Sequence, residues 1–388
     1  MLNRDLKLIF ICNLIGASGD GLFAYLLPVY MSSALGAGPV QIGILYAVMS
    51  LFAALTLLVA GSLADKYDRK KIMIAGWLAW LPAPLVFSFA TDWLQMLPGM
   101  IMWGFWLGGP THTAYVVTAA DKTRLTQIFA TMSAAWSIGY IHSPALGGYF
   151  ADTLGMRYVF YFAFALYSLA ALTLCFISSQ RASVSDQTTQ EHYSISNLLR
   201  TKQLQVLSIF FASLLFCLMM SRPFVPKYLV DAYTYGDFEI GLLGSVTFAS
   251  SAVLGILLGR LGDKTRKSYA LTASIALTTF SLGLLILSGS FAILIVTSIL
   301  AGGSYTVWSL MSATVGSLAP QSCRARWVSI PQTISMFTSF IAPYIGGFLY
   351  ATSPELPFIL SILILFPIFI LTLTKLLEQR DPYTLRNS

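Results

Sequence analysis

The sequence predicts an all-α polytopic membrane protein of twelve transmembrane helices, arranged as two six-helix bundles with the same connectivity. Composition, the placement of basic residues and an internal repeat carry that prediction. Of 388 residues, 56% are hydrophobic and only 10% are charged, against about 25% charged in a typical soluble domain. The mean hydropathy is +0.74. A soluble fold of this size has no interior large enough to hide so much apolar surface. The net charge of +7 would otherwise suggest nucleic acid, but its distribution along the chain explains it without such a partner.

Spanning a bilayer takes about 20 mainly apolar residues. Runs of that kind cover approximately 8–30, 39–64, 72–90, 94–119, 126–151 and 157–178, then 205–230, 239–262, 268–288, 291–315, 326–350 and 354–377. The first is too long for the h-region of a signal peptide. Connections are short, except for a polar stretch at 179–204 that reads as a cytoplasmic linker. The predicted organisation is therefore an N-terminal bundle at 1–178, the linker at 179–204, and a C-terminal bundle with a short cytoplasmic tail at 205–388.

Basic residues set the orientation. With both termini in the cytoplasm, 20 of the 23 Lys and Arg fall in cytoplasmic segments, and Arg157, Arg222 and Lys227 are the exceptions. That asymmetry follows the positive-inside rule and requires an even number of spans. The short outer loops suit the inner or plasma membrane of a prokaryotic cell.

The two halves repeat. A shift of 198 residues carries Pro28 onto Pro226, Tyr30 onto Tyr228, Ile42-Gly43 onto Ile240-Gly241, and Gly61, Leu63, Asp65 and Lys66 onto Gly259, Leu261, Asp263 and Lys264. A shift of 199 carries Pro144 onto Pro343 and Gly147-Gly148 onto Gly346-Gly347. Parallel repeats of this kind build transporters whose substrate site lies between the halves.

Gly61-Ser-Leu-Ala-Asp65-Lys66-Tyr-Asp68-Arg69-Lys70-Lys71 resembles the loop signature between spans two and three of the major facilitator superfamily, G-x-x-x-D-R/K-x-G-R-R/K, with Asp68 where the family usually has glycine. The second-half echo runs from Gly259 to Lys267. Gly139-x-x-x-Ser143-Pro144-x-x-Gly147-Gly148 is similar to the family's span-five antiporter motif, with Ser143 replacing one glycine. The resemblance implies alternating access, and the span-five motif implies export. It also implies a cytoplasmic gate built from Gly61, Asp65, Arg69, Asp121, Arg124 and Asp263, in which Asp121 is the candidate partner of Arg69. The family's span-four arginine is absent, since no Lys or Arg lies between Lys71 and Lys122. The alternative reading of the small residues is plain helix packing, and that of the basic loop is topological charge.

Asp20 is the carboxylate lying deepest in any predicted span, about 12 residues in, or about 18 Å at 1.5 Å per residue. An ionised group at that depth is costly unless paired or wet, and is a functional candidate by default. Asp20 is therefore a proton-coupling candidate, as is His142 beside the Pro144 motif; a structural hydrogen bond at the Gly19–Gly21 bracket is the alternative for Asp20. Arg222 has three open readings: an ion pair with Asp20, an anionic-substrate contact, or snorkelling toward the outer interface. The remaining cavity candidates are Tyr46, Trp103, Trp106, Thr111, His112, Trp136, Tyr305, Trp308 and Gln332. Their aromatic rings suit an organic or cationic substrate, and belt or core packing is the other reading.

No phosphate-binding loop, serine elbow or H-E-x-x-H pair occurs, and no ion-channel filter motif. The four cysteines form no C-x-x-C pair. The expectation is a non-enzymatic secondary transporter without cofactor or metal, acting as a monomer in the lipid bilayer. The preferred activity is proton-coupled efflux of a small organic or amphipathic compound. An uptake symporter or uniporter for a sugar or organic acid is the first alternative, and a membrane sensor that kept the fold but lost transport is the second.

Overall fold

The computed structural model describes residues 2–121, 124–181, 200–318 and 324–373, and among them every regular element is helical. The first half holds α1 (Arg4–Ala24), α2 (Leu27–Ser33), α3 (Pro39–Lys66), α4 (Arg69–Trp80), α5 (Pro82–Phe89), α6 (Leu97–Gly104), α7 (Gly108–Ala119), α8 (Leu125–Leu154) and α9 (Met156–Leu174). The second half holds α10 (Lys202–Ser221), α11 (Phe224–Tyr233), α12 (Asp237–Lys264), α13 (Lys267–Leu287), α14 (Phe291–Leu318), α15 (Arg324–Thr352) and α16 (Leu356–Leu373).

Ten segments among the described residues are long and apolar enough to cross a membrane. The fourth and fifth expected spans are the two outside that set. The fourth divides into α6 and α7, which separate at residues 105–107. There the Trp106 N–H, freed from the helix, donates to Thr56 Oγ1 at 3.0 Å. Gly104 packs against the Met49 carbonyl, where a Cβ would stand 2.5 Å from the oxygen. The fifth position is α8, an unbroken 30-residue helix whose Thr, Ser, Gln, His and Asp residues dilute its apolar character.

The leading spans of the two halves break at matching places. α1 ends at Ala24 and α10 at Ser221, and each resumes as α2 or α11 around the repeated proline, Pro28 or Pro226. Proline removes a backbone donor and crowds the preceding turn.

Packing repeats as well. α1 lies against α8 and α9, as α10 lies against α15 and α16. α3 meets α15 and α8 meets α12, which are the two main crossings between halves. The repeated glycines make these approaches possible. A Cβ on Gly147 would overlap the Leu22 carbonyl, and one on Gly346 the Met220 carbonyl. A Cβ on Gly148 would strike Asp237 O, while one on Gly347 would stand 2.5 Å from Pro39 O. Without a water-driven hydrophobic force between helices, small residues and close packing hold them together. Phe23, Phe87 and Phe160 add a buried aromatic knot with centroids 5.6 to 5.8 Å apart.

The described polar contacts between halves sit mainly at the end away from the basic loops. Lys227 Nζ donates to Ser32 Oγ at 2.7 Å and pairs with Asp231 at 2.9 Å, the one ion pair among the described residues. Tyr350 OH also donates to Asp231, at 2.8 Å. Nearby, Asp152 accepts the Phe238 N–H at 3.0 Å, joining α8 to the start of α12.

Candidate functional site

Asp20 is 5% exposed, and its carboxylate is surrounded by donors from three other spans. Oδ1 accepts from Tyr167 OH at 2.5 Å and Trp103 Nε1–H at 2.7 Å. Oδ2 accepts from Tyr140 OH. Charge-assisted bonds of this kind are the strong ones, and together they offset part of the cost of burying an ion. The flanking glycines let these partners close in. A Cβ on Gly19 would stand 3.0 Å from the Tyr167 ring, and one on Gly21 would run into Ser143 Oγ.

An aromatic file leads from this carboxylate into the second half. Tyr140 packs on Phe248 with centroids 4.7 Å apart, and Phe248 on Tyr305 at 5.0 Å. The Arg222 guanidinium lies over Tyr305, 4.1 Å from its centroid, and Nη2 donates to Ser304 O at 3.5 Å. Of the three open readings of Arg222, the ion pair with Asp20 is not made in this structure: rings stand between the two charges, and Arg222 takes a cation–π contact instead. Arg222 lines a partly open cavity between α10, α11, α12, α13 and α14, to which the first half contributes Tyr25.

The other candidates divide. Trp136 stacks beside Tyr140 at 6.3 Å. Thr111 is fully buried and bonds its own helix, and Gln332 donates to Ser312. Tyr46 packs against the core, while Trp106 and Trp308 are exposed. His112 pairs with Asn13 at 3.1 Å. His142 Nδ1 bonds Ile138 O in its own helix at 2.8 Å, and Nε2 lies 3.3 Å from Ser18 Oγ. Neither histidine is brought to Asp20. In the span-five motif, Gly139 faces Ala17 and Pro144 faces Gly241 across the halves.

At the end that carries the basic loops, the placement of Gly61 and Asp65 lies outside the described part, and Asp121, Arg124 and Asp263 are exposed. Arg69 does not meet Asp121 here. Its Nη1 donates to Thr118 Oγ1 at 2.7 Å, Gln180 Oε1 at 2.9 Å and Ala114 O at 3.2 Å. The reach of a long side chain from the start of α4 falls on α7 one turn before Asp121.

Asp68, the departure from the loop signature, caps α4. It accepts the Lys70 N–H at 2.9 Å and the Ser179 hydroxyl. Burial pushes its carboxyl up, but the Ser179 hydroxyl and the Gln180, Lys70 and Lys71 N–H groups outweigh that, holding it below the usual carboxylate range. A depressed carboxyl stabilises the fold above its unfolded value and loses that contribution as pH falls through the folded one. Asp68→Ala is therefore expected to cost about 1 kcal/mol at neutral pH, the usual worth of an N-cap. The thermal midpoint difference from wild type in detergent should shrink in acid; a pH-independent difference would contradict the capping account.

Tyr140, Tyr167, Phe248 and Tyr25 were not among the residues the sequence singled out. For Tyr140 a signal was present, since it follows Gly139 in the motif and lies four residues from Trp136 on one helix face. For Tyr167 and Phe248 no sequence signal distinguishes them from packing aromatics.

Residues 9–236 and 207–387 each match the sequence pattern of the Major Facilitator Superfamily. "Multidrug resistance protein 2" of Bacillus subtilis (strain 168) is 23% identical over 360 residues, covering 88% of each chain. "Multi-drug resistance efflux pump PmrA" of Streptococcus pneumoniae serotype 4 is 27% identical over 272 residues, covering 67% of each. Among solved structures, the nucleoside transporter NupG superposes with a TM-score of 0.81 at 13% identity, over 97% of this chain and all of that one. A bacterial homologue of the iron transporter ferroportin, in an inward-facing state, gives 0.76 at 13% identity over 98% of this chain and 100% of that one.

Proposed function

The chain belongs to the Major Facilitator Superfamily, and from that membership we propose that it is a proton-coupled exporter of small organic compounds working by alternating access. The relative named as a multi-drug resistance efflux pump supports the direction of transport. Twelve spans, in bundles at 1–178 and 205–388 joined by a cytoplasmic linker, carry the rocking motion. The chain acts as a monomer in the cell membrane, with both termini cytoplasmic. Described contacts between halves lie mainly at the outer end, which supports reading this state as open to the cytoplasm. Asp65 and Arg69 steady the cytoplasmic face in the opposite state.

The observation that carries the proposal is Asp20, a buried carboxylate held by donors from three neighbouring spans. Such a group can exchange a proton with the cavity when the halves rock and its hydrogen bonds shift. His142, turned onto its own helix carbonyl, is the lesser candidate. The test uses inverted membrane vesicles with an imposed pH gradient and a pH-sensitive dye. Lipophilic cations, neutral drugs, sugars and organic acids are added in turn. At least one organic class should dissipate the gradient, in proportion to the amount of protein. A gradient left intact by every class, alongside gradient-independent uptake of labelled sugar in right-side-out vesicles, would replace export with the uptake reading.

A further inference from the structure

Arg222 sits at the break between α10 and α11, between the last helical residue, Ser221, and Pro223. Tyr25 sits at the matching break of the first half. Both side chains line the same cavity. Among the described residues no carboxylate pairs with Arg222; its contacts are the Tyr305 ring and one long bond to Ser304 O. Most guanidinium donors are thus free of protein partners, in a membrane interior where an unneutralised charge is expensive.

The wall around this cation is unusual for a helix bundle. Ser221, Thr247, Thr278, Ser281, Thr297 and Ser304 all face the cavity. Each hydroxyl hydrogen is donated to a backbone carbonyl, which leaves the oxygens as acceptors. Leucines and the rings of Tyr25 and Tyr305 complete the lining.

We propose that this cavity is the subsite for the carboxylate end of an aromatic acid, with Arg222 as the anion-binding residue and the hydroxyl oxygens taking polar N–H or O–H groups on the same molecule. A planar guanidinium already oriented by a ring beneath it offers a fork to a carboxylate with little further loss of freedom. Tyr25 gives the subsite one wall from the first half, so its shape changes as the halves rock. The inference rests on reading the chain as a carrier of small organic compounds, and it narrows that reading to acids and zwitterions.

The test is equilibrium binding to the purified full chain in detergent at neutral pH, read by tryptophan fluorescence. The probes are benzoate, 2-naphthoate and 2-anthracenecarboxylate, each beside its neutral amide. At least one acid should bind wild type tenfold or more tightly than its amide. Arg222→Gln should erase that preference, and Arg222→Lys, which keeps the charge but loses the fork, should retain part of it. No acid preference at any ring size, or a preference that survives Arg222→Gln, overturns the proposal. Binding in detergent needs no gradient, so failure here leaves proton-coupled export standing for other solutes. Acid binding without gradient-driven transport would instead overturn the export reading alone.

Discussion

Asparagine at position 20 is expected to leave the protein at normal levels in the membrane while cutting gradient-driven transport by on the order of tenfold or more. The side chain keeps its shape and one carbonyl oxygen, so the Trp103 and Tyr167 donors retain an acceptor. The Tyr140 hydroxyl can turn to accept from the new amide. What is lost is a group able to take up and release a proton within the span, and no other described carboxylate lies at that depth among these partners. Solute exchange down its own gradient needs no proton and should persist. Counterflow of labelled solute, measured beside pH-driven uptake in inverted vesicles, separates the two. Equal loss of both would make Asp20 a structural anchor and not a coupling group.

Valine at Gly147 or at Gly346 is expected to prevent the bundles from closing. At each position a Cβ would overlap a backbone carbonyl, that of Leu22 or Met220. Backbone cannot swing aside as a side chain can, so the cost should exceed the roughly 1–3 kcal/mol of ordinary over-packing. Gly283, which has open space around it, provides the control and should accept alanine without penalty. The readouts are the monodisperse fraction after extraction and the thermal midpoint. The matched pair also tests the repeat, because equivalent positions should fail to a similar degree.

Much of the architecture was legible in the residues themselves. Apolar runs, the one-sided basic loops and the repeat of proline and glycine positions reflect constraints of the bilayer, which act on each span separately. Asp20 was legible for the same reason: a carboxylate in a span is costly wherever its neighbours lie. Its partners were not, because which tyrosine reaches it depends on how α8 and α9 cross α1. Arg69 shows the limit from the other side. Asp121 was the acidic residue suggested by charge, whereas the structure supplies Thr118 and Gln180, neutral groups with no signature in the sequence. The fourth span was read as continuous, yet Gly104, Gly108 and Pro110 bracket a break that Thr56 from α3 stabilises. The fifth span falls short of a simple apolar count because α8 must pack closely against both α1 and α12, which favours small and polar residues over leucine.

If Asp20 exchanges its proton for substrate, substrate binding must release that proton, and the release can be measured. Purified protein in lightly buffered detergent, with a pH indicator, is titrated with the solute that dissipates the gradient in vesicles. Linkage requires wild type to release up to about one proton per solute bound if that carboxyl is the coupled group, and Asp20→Asn to bind the solute while releasing none. Undiminished release from Asp20→Asn would contradict the account and place the coupled proton elsewhere in the chain.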